Sequence, residues 1–255
     1  MTTLVIGGTG KTGRRVAQKL ADRGAAVRIG SRAGSPPFDW EDLTTWEPAV
    51  RDVTAVYLTY QPDLAFPGAA EQIGAFAKLA VAAGTRRIVL LSGRGEEETW
   101  PSEESVRTSG ADWTILRCNW FAQNFSESFL HPGVMEGVVA LPSPDVPEPF
   151  IDVADIAEVA VAALTSDDHS GRLYELSGPR AITFAEATAE ISAASGREVR
   201  YPRRRPRRSR PCSRRSSTGA TRPSPRISNA SWAAPAATSA TSSAKRPRRV
   251  PGPKG

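Results

Sequence analysis

The sequence predicts an α/β fold in which helices cover a doubly wound parallel sheet. Four short runs of consecutive apolar residues are typical of strands buried on both faces of such a sheet: 3–7, 26–31, 55–60 and 87–93. Two stretches between them have helical spacing and end at a glycine: 11–24 and 68–84. Because strands and helices alternate, right-handed crossovers and a parallel sheet are expected.

The alternation continues as far as residue 201. It predicts a helix over 102–110, a strand over 112–117, a helix over 150–166, a strand over 172–178, a helix over 183–196 and the start of another strand at 198–201. The helix over 183–196 has a threonine at its start and a glycine at its end, which are common helix caps. After residue 201 the pattern stops.

Charge divides the chain into two unlike parts. Residues 202–255 hold 15 Lys and Arg and no Asp or Glu, which leaves 18 Lys and Arg against 27 Asp and Glu in residues 1–201. The formal net charge of +6 therefore averages an acidic part of −9 and a basic tail. The acidic part has no broad attraction for phosphate backbones, so a nucleic-acid partner is disfavoured except through the tail.

Cysteine content and hydropathy set the expected compartment. Cys118 and Cys212 are too few for a disulfide framework, which favours a reducing cytoplasm. The N-terminal residues lack a charged leader before an apolar stretch, so no signal peptide is expected. No apolar run approaches the ~20 residues that a membrane span needs, so no membrane partner is expected.

The strongest motif is the glycine-rich stretch "VIGGTGKTGRRV" at 5–16. It follows a buried strand and opens a helix, which is the context of a dinucleotide-binding loop rather than of an ordinary turn. Glycines there allow a tight turn and a close backbone approach, and the helix N-terminus offers free N–H groups to a pyrophosphate. A plain strand-to-helix turn is the alternative. The candidate cofactor-binding residues are Gly7, Gly8, Thr9, Gly10, Lys11, Thr12 and Gly13.

The end of the second strand indicates which dinucleotide is preferred. Sites selective for NAD place an Asp or Glu there to bind the ribose 2′-hydroxyl. Here Ser31 and Arg32 take that position, with Arg28 nearby. A guanidinium beside a hydroxyl favours a 2′-phosphate, so NADP(H) is predicted in preference to NAD(H). The alternative is that Arg32 is a solvated loop charge and the preference is absent.

Four stretches together resemble the NmrA-like branch of the atypical short-chain dehydrogenases/reductases: "VIGGTGKTGRRV", "VYLTYQP" (56–62), "IVLLSGRGEEE" (88–98) and "DWTILRCNWFAQNFSE" (112–127). The resemblance covers residues 1–201. It implies an NAD(P)-binding Rossmann domain over 1–150 and the remainder of the sheet with a partial α/β substrate domain over 151–201. The composition of residues 202–255 separately predicts a disordered Arg/Pro/Ser-rich tail.

The resemblance also implies the walls of the site. Thr59, Tyr60, Gln61, Ser92 and Gly93 would line the nicotinamide side. The pocket would be closed by three residues for which a packing role is the alternative: Trp120, Phe121 and Asn124.

The catalytic groups are not evident from the sequence. Conventional short-chain reductases use a Tyr-x-x-x-Lys pair, in which lysine lowers the pKa of the tyrosine so that it can protonate a carbonyl. None of the four tyrosines has a lysine four residues on, and the histidines, His131 and His169, lie beside loop signals. No catalytic residue and no metal site is therefore predicted.

The tail from residue 202 does not resemble a nucleic-acid-binding arm. It has one Trp and no Tyr or Phe to stack on bases, and its composition cannot form a core. When residues 237–246 are written in GC-rich codons, another reading frame gives "DFRDFVREA", which resembles an ending of the same family. A frameshift near Tyr201 or Pro202 is therefore the favoured hypothesis, and an unbroken frame in resequenced independent DNA would contradict it.

Function is expected from the cofactor. An NADPH-dependent oxidoreductase that transfers hydride to a quinone-like or other conjugated small molecule is favoured, because such a reaction requires mainly orientation from the protein. A non-catalytic NAD(P) redox sensor of the NmrA type is the alternative, and nucleic-acid binding through the tail is less favoured. The sequence gives no oligomeric state.

Overall fold

The computed structural model of the protein describes residues 2–141 and 146–202. Its centre is a six-stranded sheet in which every neighbouring pair is parallel, in the order β2-β1-β3-β4-β5-β6. The strands are β1 (Thr2–Ile6), β2 (Ala26–Gly30), β3 (Ala55–Leu58), β4 (Arg87–Gly93), β5 (Asp112–Cys118) and β6 (Arg172–Leu176). The predicted α/β doubly wound sheet is confirmed.

Within the described residues, eight α-helices connect or flank these strands. They are α1 (Lys11–Asp22), α2 (Trp46–Val50), α3 (Ala69–Ala82), α4 (Trp100–Arg107), α5 (Asn124–Glu127), α6 (His131–Glu136), α7 (Val153–Thr165) and α8 (Phe184–Ser195). The cap predicted for α8 is present: Thr183 and Glu186 form a reciprocal capping box, in which each side chain accepts a hydrogen bond from the other residue's backbone N–H. Among the described residues, no helix is both long and apolar enough to cross a bilayer.

Two apolar layers cover the sheet because its strands alternate their side chains between faces. In β3, Val56 and Leu58 join one core with α2, α3 and α4, while Ala55 and Tyr57 join the other core with α1 and α7. All four residues are fully buried, which is why their run is continuously apolar.

A third, smaller apolar cluster lies beside the sheet. Phe125, Leu130, Val139, Phe184 and Val199 are buried there, contributed by α5, by the residues on either side of α6, by α8 and by the end of the described chain. The strand predicted at 198–201 is wrong as an addition to the sheet: only Arg200 forms a bridge, with Val138. The segment packs on this small cluster and not against the edge strand β6. The predicted basic tail lies outside the described residues from 203 onward.

Candidate functional site

The glycine loop lies at the point in the sheet where the order of strand addition reverses. The chain runs from β1 outward to β2 and then returns to β3 on the other side of β1, so a crevice opens at the carboxyl ends of β1 and β3. Gly7 follows β1 with a φ of +69°, a left-handed conformation that favours glycine. Its N–H donates to the carbonyl of Gly30 at 2.9 Å, and its carbonyl accepts from Gly10 at 2.8 Å. These bonds fix the turn against the end of β2.

The N-terminus of α1 offers unpaired backbone donors to this crevice. Gly10 is the N-cap and has no side chain to accept a hydrogen bond. The first bond within the helix runs from the N–H of Arg14 to the carbonyl of Gly10. The amides of Lys11, Thr12 and Gly13 therefore have no partner within the helix, and they are a suitable cradle for a phosphate.

The loop and helix pack backbone against backbone. A Cβ built on Gly13 would lie 2.7 Å from the carbonyl carbon of Gly7 and 2.9 Å from the Cα of Gly8, and closer still to the oxygen of Gly7. A Cβ built on Gly8 would lie 2.9 Å from the side chain of Ile29. The structure thus needs small residues at these positions, and the cradle fits the pyrophosphate of a dinucleotide.

The two residues predicted to recognise a 2′-phosphate lie directly after β2. The carbonyl of Ser31 accepts hydrogen bonds from Gly34 and Phe38, which shapes the turn that carries Arg32. Arg32 is exposed, and within residues 2–141 and 146–202 its guanidinium pairs with no carboxylate. Arg28 is elsewhere engaged: its Nη1 donates to the carbonyls of Ala49 and Arg51 at 2.8 and 2.6 Å.

The end of β3 forms the other wall of the crevice. Thr59 donates to the carbonyl of Ile6 at 3.1 Å and packs against Gly7. Tyr60 donates to Gln72 at 2.8 Å, and burial raises the pKa of its phenol. Gln61 is exposed.

Sequence reasoning did not identify Trp40, whose Nε1 donates to the carbonyl of Thr59 at 3.3 Å. The Trp40 indole packs edge-to-face against the rings of Phe38, Trp46 and Phe76. The aromatic residues Phe38 and Trp40, which lie between β2 and α2, were the feature of the sequence that could have indicated this cluster.

The hydroxyl of Ser92 is buried and hydrogen-bonded within the protein. Its hydroxyl donates to Glu103 at 2.7 Å, and Glu103 also accepts two hydrogen bonds from Arg117, at 2.8 and 2.7 Å. The side chain of Glu103 is 2% exposed, so this buried network connects α4 to the ends of β4 and β5. Gly93 remains at the crevice, with the carboxylate of Glu96 against its Cα.

The three candidate pocket residues follow β5. Trp120 is 38% exposed, and its ring lies 5.2 Å from that of Phe184. Phe121 is half-buried and forms a bridge with Ile151. Asn124 begins α5.

Two further titratable candidates are unsuited to proton transfer at the crevice, one because of its position and the other because of its burial. His169 precedes β6 at the amino ends of the strands, opposite the glycine loop, and its Nδ1 lies 2.8 Å from the Tyr174 hydroxyl. Cys118 is buried, which raises the pKa of its thiol to about 12 and keeps it protonated at neutral pH. Among the described residues, no group of three His, Cys, Asp or Glu side chains is placed to hold a metal ion.

A groove of about 650 Å³ lies away from the glycine loop, at the small cluster. It is lined by α8 and by the last described residues, Val199, Arg200, Tyr201 and Pro202.

The fold and the glycine loop define a class, the dinucleotide-binding α/β proteins. Comparison with known families makes the assignment more specific, because the family described as NAD(P)H-binding matches residues 7–167. The chain belongs to this NAD(P)H-binding family, and its resemblance to the NmrA-like atypical short-chain dehydrogenases/reductases is confirmed.

Two curated relatives are oxidoreductases. The (4-alkanoyl-5-oxo-2,5-dihydrofuran-3-yl)methyl phosphate reductase of Streptomyces griseus subsp. griseus is 37% identical over 224 residues, covering 78% of this chain and 75% of the relative. The uncharacterized oxidoreductase YesF of Bacillus subtilis is 34% identical over 210 residues, covering 78% and 72%.

A solved structure shares the fold. The NADPH-dependent quinone oxidoreductase QOR2 of Escherichia coli, complexed with NADPH, is 24% identical with a TM-score of 0.60, and the match covers 79% of this chain and 78% of that one.

Proposed function

We propose that the chain is an NADPH-dependent reductase that delivers hydride to a conjugated, electron-poor small molecule. The observation that carries this proposal is the uncapped N-terminus of α1 at the crevice, beside an exposed Arg32 and with no carboxylate at the end of β2. The S. griseus relative supports the substrate class, because the oxo-dihydrofuran in its name is a conjugated, electron-poor ring. A cytoplasmic location, expected from the two cysteines, is part of the proposal.

Different residues would bind the different parts of NADPH. The amides of Lys11, Thr12 and Gly13 would hold the pyrophosphate, and Arg32 with Ser31 would bind the 2′-phosphate. Gly93 and the wall at Thr59 would leave room for the flat nicotinamide at the carboxyl ends of β3 and β4. When bound, NADPH supplies the hydride, and a proton from water completes the reduction of the acceptor.

Cofactor preference is tested with Arg32→Asp. We expect wild type to bind NADPH more tightly than NADH, and the variant to lose about 10- to 100-fold in NADPH affinity with little change for NADH, because one charge-assisted contact is removed. Calorimetric titration of both nucleotides measures this. Arg172→Asp is the matched control, since it makes the same charge change on an exposed arginine at the amino end of β6. Equal wild-type affinities for the two nucleotides would refute the preference.

A redox sensor is the second candidate function. It is favoured by Ser92, whose hydroxyl already donates to Glu103 and so is not free to donate to a reacting carbonyl. NADPH oxidation with a panel of quinones and conjugated lactones separates the two functions. Turnover with any acceptor supports the reductase, whereas tight NADPH binding without turnover across the panel supports the sensor.

A further inference from the structure

The segment 120–130, which carries the candidate pocket residues, is joined to the N-terminal half of α1 by charged contacts. Glu127 accepts from Arg15 at 2.7 and 3.1 Å and also pairs with Arg14. Next to it, the ammonium of Lys11 donates to the hydroxyl of Ser128 at 2.9 Å. All three cationic side chains belong to the beginning of α1, where the unpaired amides lie.

The rest of the segment contacts residues 150 and 151 and the small apolar cluster beside the sheet. The carbonyl of Trp120 accepts from the N–H of Ile151 at 2.9 Å, and the ring of Phe125 lies 5.5 Å from that of Phe150. Segment 120–130 therefore spans the distance from the phosphate cradle to the aromatic cluster that contains Phe184.

The charged contacts are suited to positioning more than to stability. The side chain of Glu127 is 23% exposed, and those of Arg14 and Arg15 are 46% and 26% exposed. Ion pairs this accessible to water contribute little to folding stability. They do define where the segment rests, because two arginines bind one carboxylate. Hydrogen bonds from Arg15 lower the pKa of Glu127, so this carboxylate is charged at neutral pH.

We propose that Glu127 is a positioning residue that couples occupancy of the glycine loop to the order of segment 120–130. An anion on the amides of α1 immobilises the first turn of the helix. The pair of Arg14 and Arg15 with Glu127 then transmits that order to the segment carrying Trp120. The inference rests on the proposed function, because it requires a dinucleotide at the loop.

The same helix offers a matched control. Farther along α1, Glu158 of α7 pairs with Lys19 and with Arg23, the latter at 3.1 Å. This carboxylate also has two cationic partners, Lys19 on α1 and Arg23 directly after it, and hydrogen bonding from Lys19 lowers its pKa. It lies away from the glycine loop and from segment 120–130. Glu158→Gln and Glu127→Gln therefore remove equivalent ion pairs at two positions on one helix.

Amide hydrogen exchange with and without NADPH tests the coupling in the full chain. In wild type we expect NADPH to slow exchange at residues 7–13 and, by about tenfold, at residues 121–130. Glu127→Gln should keep the protection at 7–13 but reduce that at 121–130 to less than about twofold, and Glu158→Gln should behave like wild type. The exchanged pair Arg15→Glu with Glu127→Arg should restore the protection.

The outcomes separate the two hypotheses. If NADPH protects neither segment of wild type, the proposed function fails and the coupling fails with it. If residues 7–13 are protected but 121–130 respond alike in Glu127→Gln and Glu158→Gln, the coupling alone is overturned. Where an acceptor has been found, Glu127→Gln should also raise its KM several-fold with kcat nearly unchanged, a split that a loss of stability would not produce.

Discussion

Replacing Glu103 by alanine should lower the free energy of unfolding by about 3 kcal/mol, which corresponds to a Tm decrease of about 10 °C in a unit of this size. The carboxylate of Glu103, on the buried face of α4, accepts hydrogen bonds from both Ser92 and Arg117. Its removal leaves the Arg117 guanidinium, itself only 17% exposed, without its counter-charge. Thermal unfolding followed by circular dichroism measures the change.

The neighbouring Glu104 provides the control for this prediction. Glu104 is exposed on the same helix, so Glu104→Ala should change the free energy of unfolding by less than about 0.5 kcal/mol. Glu103→Gln should fall between the two, because the amide can still accept from Ser92 but does not balance Arg117. Equal stability of Glu103→Ala and Glu104→Ala would show that the network contributes nothing.

Replacing Gly13 by alanine should reduce NADPH affinity on the order of 100-fold while the protein stays folded. In an ordinary helix, alanine is about 1 kcal/mol more favourable than glycine. Here the added methyl would meet the backbone of Gly7 and Gly8, so loop and helix must separate and the amides of α1 lose their alignment. Each lost bond to a charged oxygen costs about 1.5–3 kcal/mol. Calorimetric titration of NADPH measures the loss.

Gly74→Ala in α3 is the control, because there a Cβ would meet only the Ser105 side chain, at 3.2 Å. This variant should bind NADPH like wild type and should be as stable or slightly more so. Unchanged NADPH affinity in Gly13→Ala would contradict the close packing described for the loop.

The sheet could be predicted from the sequence because four of its strands are short and largely apolar, and because strands and helical stretches alternate along the chain. In the run at 55–60, for example, residues 55–58 are buried on both faces, as is typical of a central strand in a parallel sheet. The glycine loop was also predictable, since its spacing and its position between strand and helix arise from backbone geometry.

The contacts between distant parts of the chain could not be predicted in this way. Ser92 lies at a strand end, where the family resemblance implied a role at the nicotinamide, yet its hydroxyl bonds to Glu103 eleven residues later. Lys11 was expected near a phosphate, and the structure places its ammonium on Ser128. Neither partner has a sequence signal, because both pairs form only when separate elements pack together. The short helices α2, α5 and α6 were missed for the same reason.

The contact between Gly8 and Ile29 has a consequence for how the site can change through evolution. A Cβ at position 8 would meet the γ2 and δ1 carbons of Ile29 at 2.9 and 3.0 Å. An alanine at position 8 is therefore compatible with this loop only when position 29 carries a smaller side chain. In an alignment of homologues the two positions should co-vary, with alanine at the first accompanied by alanine or glycine at the second, because valine would retain the γ2 carbon.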